Sequence, residues 1–299
     1  MTITSPGVDL DVTPLSGTIG AEIRGVDLKQ AIGADVVAAV RAALLEYKVI
    51  FFPGQHLAPA EHVAFARSFG ELTPAHPVIA GIKGFPEVFE IDYTKAAKQQ
   101  RGSRERVDKY EGLGWHTDVT FVEHPPLGSI LNALVIPAAG GDTMFSDQRA
   151  AYEALSDVMR EFLDPLVAVH DGGPSFGKAL ARRKERLDDG GDWEGKQYQE
   201  LEPVAHPVIR THPETGRKSL FVNAGFTSHI KGLTRAESDN LLRFLYDHST
   251  KPRFTVRYHW HAGDLGFWDN RVTQHSVVGD FTEHRVIQRV TLRGDQPRN

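Results

Sequence analysis

Two periods of apolar and polar residues alternate along this chain, and they divide it into elements. Gly20–Leu28, GAEIRGVDL, alternates apolar with polar residues and predicts a strand. Ala34–Lys48 carries Val37, Val40, Ala43, Leu44 and Tyr47 at helical spacing. VIFFPG follows as a buried strand stopped by Pro53 and Gly54, and Pro59 opens a second helix that Gly70 ends. Residues 85–93 predict another strand. Periodicity then disappears. Residues 94–113, TKAAKQQRGSRERVDKYEGL, are polar and mostly basic, which predicts a surface loop. The loop runs straight into a chemically loaded stretch, which makes it a candidate lid.

Beyond it, LGSILNALVIP predicts a strand, and AAGGDTMFSD a turn and a strand. Arg149–Leu163 predicts one amphipathic helix, and residues 177–199 a polar excursion. His206–Asn223 predicts a hairpin around Pro-Glu-Thr-Gly. Thr234 and Glu237 form a capping box ahead of LLRFLYDH. FTVRYHW, LGFWDN and RVIQRVTLRG are short strand candidates. Neither a repeat nor a low-complexity linker divides the sequence, so residues 1–299 are expected to form a single domain. Short, turn-separated strands after residue 115 with helices outside them predict a mainly β (α+β) jelly-roll.

The totals narrow the chemistry. A chain of 299 residues is ample for a sizeable core. Its net charge of -5 gives no sign of a nucleic-acid or membrane partner. It contains no cysteine, which excludes disulfides, zinc ribbons and cysteine nucleophiles. Any metal must therefore use histidine and carboxylate ligands. The N-terminal residues do not resemble a secretory signal and no apolar stretch reaches the length of a membrane span, so the expected location is the cytoplasm.

GWHTDVTF, residues 114–121, places His116 and Asp118 two apart, on one face if the stretch is a strand. Alone, the pair reads as polar residues on a wet face. The aromatic-rich segment FWDNRVTQHSVVGDF adds His275. Two histidines and one carboxylate form the facial triad of non-haem Fe(II) oxygenases, which leaves open positions on the metal. Arg285 and Arg289 follow, four apart on one strand face. A buried guanidinium needs an anion, and the carboxylate of a bound acid would supply one. His259 and His261 form a His-x-His pair at strand spacing without an evident carboxylate partner. His62, His170, His229 and His248 show no partner pattern, and His124 and His284 flank the site segments.

These stretches, with GGDTMFSD, SLFVNAGFT and the N-terminal GAEIRGVDL and KVIFFPGQ, resemble the taurine dioxygenase (TauD/TfdA) family over nearly the full length. The family's enzymes depend on Fe(II) and 2-oxoglutarate, and use O2. The resemblance implies the double-stranded β-helix form of the jelly-roll. It implies His116, Asp118 and His275 as iron ligands, with Arg285 and Thr143 binding the distal carboxylate of 2-oxoglutarate. On the substrate side it implies His76 and Arg289 at a sulfonate, with Val119, Ser175, Phe176 and Phe226 around the pocket. Two positions depart from the taurine pattern: Ile79 replaces a tyrosine and Gly112 an asparagine, both near the amine end of taurine. A lost amine partner favours a less polar substrate. The implied reaction hydroxylates the carbon beside the anionic group of a small sulfonate, releasing sulfite, succinate and CO2. An alkyl sulfate ester or an aryloxyalkanoate is the alternative within the class, and a non-catalytic cupin-like binding protein the alternative outside it. A homo-oligomer, dimer or tetramer, is expected from the family.

Overall fold

The structure is a computed structural model that describes residues 2–5, 8–93, 114–177, 192–193, 196–197 and 201–299. The candidate lid at 94–113, Gly112 within it, and most of the 177–199 excursion lie outside the described residues.

An eight-stranded sheet runs in the order Thr2–Ser5, Val8–Pro14, Ala21–Arg24, Val49–Phe52, Leu265–Asp269, Gly128–Val135, Val286–Leu292, Phe89–Asp92. All its described pairings are antiparallel except that between Ala21–Arg24 and Val49–Phe52. A three-stranded sheet, Thr255–Tyr258, Thr143–Asp147, Thr273–Val277, faces it. Phe51 links the two layers, stacking on Tyr258 at 3.6 Å between ring centres and meeting Phe145 edge-on at 5.7 Å. The arrangement is a jelly-roll, as the strand pattern predicts.

Alternation along the strands assigns the faces. Val49 and Phe51 point into the sandwich with Leu131, Ala133, Trp268 and Ile287. Ile50 and Phe52 point outward with Ile130, Phe267 and Val290, beneath the helices Ala34–Tyr47 and Pro59–Arg67. A further core lies around the hairpin Ile209–Thr211 and Lys218–Leu220 and the helix Arg235–Ser249. That helix starts on the expected capping box, with Thr234 N–H donating to Glu237 Oε2 at 2.8 Å.

Two expectations are corrected. Arg149–Leu163 is not one helix but two, Gln148–Glu153 and Asp157–Leu163. Ser156 restarts the chain, because its Oγ accepts from Met159 N–H and caps the second helix. The strand expected over Gly20–Leu28 closes at Arg24, where Gly25 turns to φ 81°.

Candidate active site

His116 forms an isolated antiparallel bridge with His275, exchanging backbone hydrogen bonds at 3.0 and 2.8 Å. The pairing places the two imidazoles with ring centres 4.2 Å apart. Asp118 does not continue a strand, contrary to the sequence expectation. It lies in a turn, and Val119 beside it adopts φ 54°. A left-handed β-branched residue costs on the order of 1–3 kcal/mol and persists only where the surroundings dictate it.

The turn still brings Asp118 to the histidines. Asp118 Oδ1 is 3.8 Å from both His116 Nε2 and His275 Nε2. One potential ligand atom from each of the three residues lies within 4.8 Å of the others, the only such group among the described residues. The supporting contacts suit metal binding. His116 Nδ1 donates to the Gly114 carbonyl at 2.9 Å, which turns the Nε2 lone pair toward the other two ligands. Ser129 Oγ donates to Asp118 Oδ2 at 2.7 Å, and Arg289 pairs with Asp118 Oδ1. Burial opposes ionisation of Asp118, but Arg289, His275, His116 and Ser129 outweigh it and hold the carboxyl well below its usual range. Burial, reinforced by the neighbouring His116, lowers His275 to about 3. The set is therefore a carboxylate and two neutral imidazoles, the protonation state a metal requires.

Arg285 is fully buried. Its Nε donates to the Gly141 carbonyl at 3.2 Å; beyond the Tyr93 hydroxyl beside them, Nη1 and Nη2 make no hydrogen bond of good geometry among the described residues. The rings of Tyr93 and Phe281 lie 5.2 and 5.7 Å from its guanidinium carbon. Gly141, at φ 72°, passes so close that a Cβ would meet the Arg285 side chain at 3.2 Å. A buried, half-satisfied guanidinium fits the carboxylate of a 2-oxo acid. Thr143 lines the cavity nearby and accepts from Trp260 Nε1 at 2.9 Å, which leaves its hydroxyl proton free to donate.

The cavity holds about 230 Å³, a little under the roughly 300–1,000 Å³ of typical small-molecule sites. His116, Asp118, His275, Thr143, Val119, His76, Phe176, Phe226 and Arg289 all face it. His76 is buried among the rings of Phe176, at 4.8 Å, and Phe89, at 5.4 Å. Its Nδ1 accepts from Val78 N–H at 3.1 Å, which leaves the ring proton to Nε2. Ser175 is exposed and off the cavity wall, because the helical turn in which Phe176 N–H bonds to Gly172 O sends Phe176 inward instead. Tyr93, Phe89 and Ile91 also line the cavity and were missed in the sequence, as were the supporting residues Ser129, Trp260 and Asn270. Phe89, Ile91 and Tyr93 alternate along one strand and its end, the one local signal that could have found them. His259 and His261 do have carboxylate neighbours, Asp142 at 2.7 Å and Asp264 at 3.6 Å, but different ones, so they form no shared centre.

Two histidines and one carboxylate gathered in a jelly-roll are the facial triad of non-haem Fe(II) oxygenases. The family model "Taurine catabolism dioxygenase TauD, TfdA family" matches residues 11–291, and the chain belongs to that family. It is 40% identical to an alpha-ketoglutarate-dependent sulfate ester dioxygenase of Pseudomonas putida, covering 97% of this chain and 91% of the relative. It is 38% identical to an alkylsulfatase of Acinetobacter baylyi, covering 98% and 88%. Among solved structures, AAD-2 in complex with Mn(II) and N-oxalylglycine superposes with a TM-score of 0.80 at 28% identity, covering 96% of this chain and 99% of that one. The protein is an oxidoreductase that uses Fe(II), 2-oxoglutarate and O2.

Proposed function

We propose that this dioxygenase hydroxylates the carbon bearing the anionic group of a small organic sulfate ester. The product collapses to an aldehyde and inorganic sulfate, while 2-oxoglutarate becomes succinate and CO2. One observation carries the reading: a single cavity combines a cationic end with apolar walls. Arg289 and His76 supply the cationic and hydrogen-bonding end, and Phe89, Ile91, Phe176 and Phe226 supply the walls. Ile79 carries no part of this choice, because it is 37% exposed and off the cavity wall, contrary to the sequence expectation. The two sulfate-ester relatives support the same choice.

In this reading His116, Asp118 and His275 hold the iron, which when bound supplies the activation of O2. Arg285 and Thr143 take the distal carboxylate of 2-oxoglutarate. Arg289, His76 and the backbone of Val119 orient the sulfate group, so that the adjacent carbon faces the metal. Phe176 and Phe226 flank the alkyl chain and exclude water. Ser129 holds the Asp118 carboxylate and Gly114 fixes the tautomer of His116. The same anion site would take a bulky sulfonate or an aryloxyalkanoate as a second reading, since Arg289 can also bind a sulfonate or a carboxylate. The proposal extends to a cytoplasmic dimer or tetramer acting on free small molecules. No helix among the described residues is long and apolar enough to cross a membrane.

The test is 2-oxoglutarate-dependent succinate release with a linear alkyl sulfate, taurine, a longer alkyl sulfonate and an aryloxyacetate, with sulfate and sulfite measured in parallel. Fastest turnover of the alkyl sulfate with stoichiometric sulfate is expected. Taurine turning over best would overturn the assignment.

A further inference from the structure

Two side chains outside the triad tie together the segments that carry the metal ligands: Thr117 Oγ1 donates to the Thr273 carbonyl at 2.8 Å, and Asn270 holds Asp118 itself. Asn270 is buried, five residues before His275, and its carboxamide reaches Asp118, 152 residues away. Its Oδ1 accepts from Asp118 N–H at 2.8 Å. Its Nδ2 donates to the Asp118 carbonyl at 3.0 Å and to the Pro126 carbonyl at 3.0 Å. A neighbouring strand would offer Asp118 the same acceptor and donor. Asp118 has no such neighbour, because the chain leaves the His116–His275 bridge and turns through a left-handed Val119. The carboxamide takes the strand's place. It satisfies three buried backbone groups that the turn would otherwise strand.

The consequence reaches the site. Ser129 fixes one carboxylate oxygen of Asp118 and Arg289 pairs with the other, but both act on the side chain. The Asp118 backbone is held by Asn270. We propose that Asn270 is a positioning residue for the metal centre, holding the Asp118 turn so that Oδ1 faces His116 Nε2 and His275 Nε2 together. The inference rests on the reading of Asp118 as a metal ligand. It assigns to WDN, residues 268–270, a task that touches neither metal nor substrate. Asn270→Asp is the sharpest variant, because it keeps the acceptor for Asp118 N–H and replaces the donor by an oxygen facing two carbonyls.

The experiment titrates full-length wild type and Asn270→Asp with Co(II) under anaerobic conditions, following the visible d–d spectrum, with thermal unfolding of the metal-free proteins alongside. Removal of an outer-shell partner weakens metal binding about 10–100-fold, so the variant is expected to bind in that range with an altered spectrum. Among turnovers that remain, succinate formed per substrate oxidised should rise. Wild-type Co(II) affinity and spectrum in Asn270→Asp would overturn the inference, as would a lowered unfolding temperature with both unchanged. Should Asn270→Asp not fold, Asn270→Gln, which keeps the carboxamide but displaces it by one methylene, is read by the same criteria. A wild type that binds no Co(II) would overturn the metal-centre reading itself, a result distinct from failure of the Asn270 role.

Discussion

Replacing Arg285 by Met separates binding from folding, because the two should move in opposite directions. The guanidinium is fully buried, its Nε bonded to Gly141 and its two terminal nitrogens beside the Tyr93 hydroxyl but short of a full set of partners among the described residues. Hydrogen bonds to charged groups contribute about 1.5–3 kcal/mol each, so a two-point grip on the distal carboxylate is worth roughly 3–6 kcal/mol before the carboxylate is desolvated. A net loss of about 3–4 kcal/mol, at about 1.4 kcal/mol per tenfold, raises the KM for 2-oxoglutarate about 10²–10³-fold. Folding responds otherwise. Removing the charge ends the cost of keeping it buried, several kcal/mol, against about 1 kcal/mol for the lost Gly141 bond and about 0.5–2 kcal/mol for the Tyr93 and Phe281 ring contacts. Arg285→Met should therefore unfold at the same urea concentration as wild type or a higher one. Succinate release against 2-oxoglutarate concentration and urea unfolding measure both arms. A KM within threefold of wild type, or a clear loss of stability, would refute the reasoning.

Asp118→Ala should abolish metal binding measured by calorimetry. It should also destabilise the metal-free chain by roughly 3–5 kcal/mol, because it leaves Arg289 buried without its partner; unchanged stability would count against that ion pair. Phe176→Ala should raise the KM for long alkyl sulfates more than for short ones, since the ring lines the cavity beside His76; equal effects would remove it from the chain-binding wall. Acid sensitivity follows from buried histidines outside the triad, two of which, His170 and His206, bond to Thr120. Burial lowers His62 and His206 to about 4 and His170 well below its usual range. Below pH 6.5 the unfolded chain takes up protons that these buried rings refuse, so stability is full above that pH. It should fall by about 1.4 kcal/mol per pH unit for each such histidine as the pH drops toward 4. Urea midpoints across that window check the slope, and a flat profile would contradict it.

How much of this was legible in the sequence depended on whether the signal was local. The continuous apolar run at Val49–Phe52 marked a strand buried on both faces, and helical spacing at Ala34–Tyr47 marked the helix that covers it, because each pattern is written into neighbouring residues. The break at Ser156 was hidden, since Arg149–Leu163 keeps one apolar face through it. The triad residues stood out as a pattern of types, yet the local geometry expected for them was wrong. His116 and Asp118 share a face through a bridge and a strained turn, not through a strand. The residues that hold them were not legible at all. Ser129 reaches Asp118 from the adjacent strand of the large sheet, Asn270 from the opposite end of the chain, and Trp260 steadies Thr143 across 117 positions. Such contacts depend on which strands pair, and sequence spacing carries no record of that.

The account stands most directly on a 2-oxo acid chelating iron at His116, Asp118 and His275 with its far carboxylate on Arg285. Anaerobic absorption spectroscopy of the full-length protein tests this in one titration. A visible charge-transfer band should appear when Fe(II) and 2-oxoglutarate are both present, stay absent with either alone, and require far more 2-oxoglutarate in Arg285→Met. Iron binding without any such band at saturating 2-oxoglutarate would contradict the account and favour a protein that binds metal without turning over.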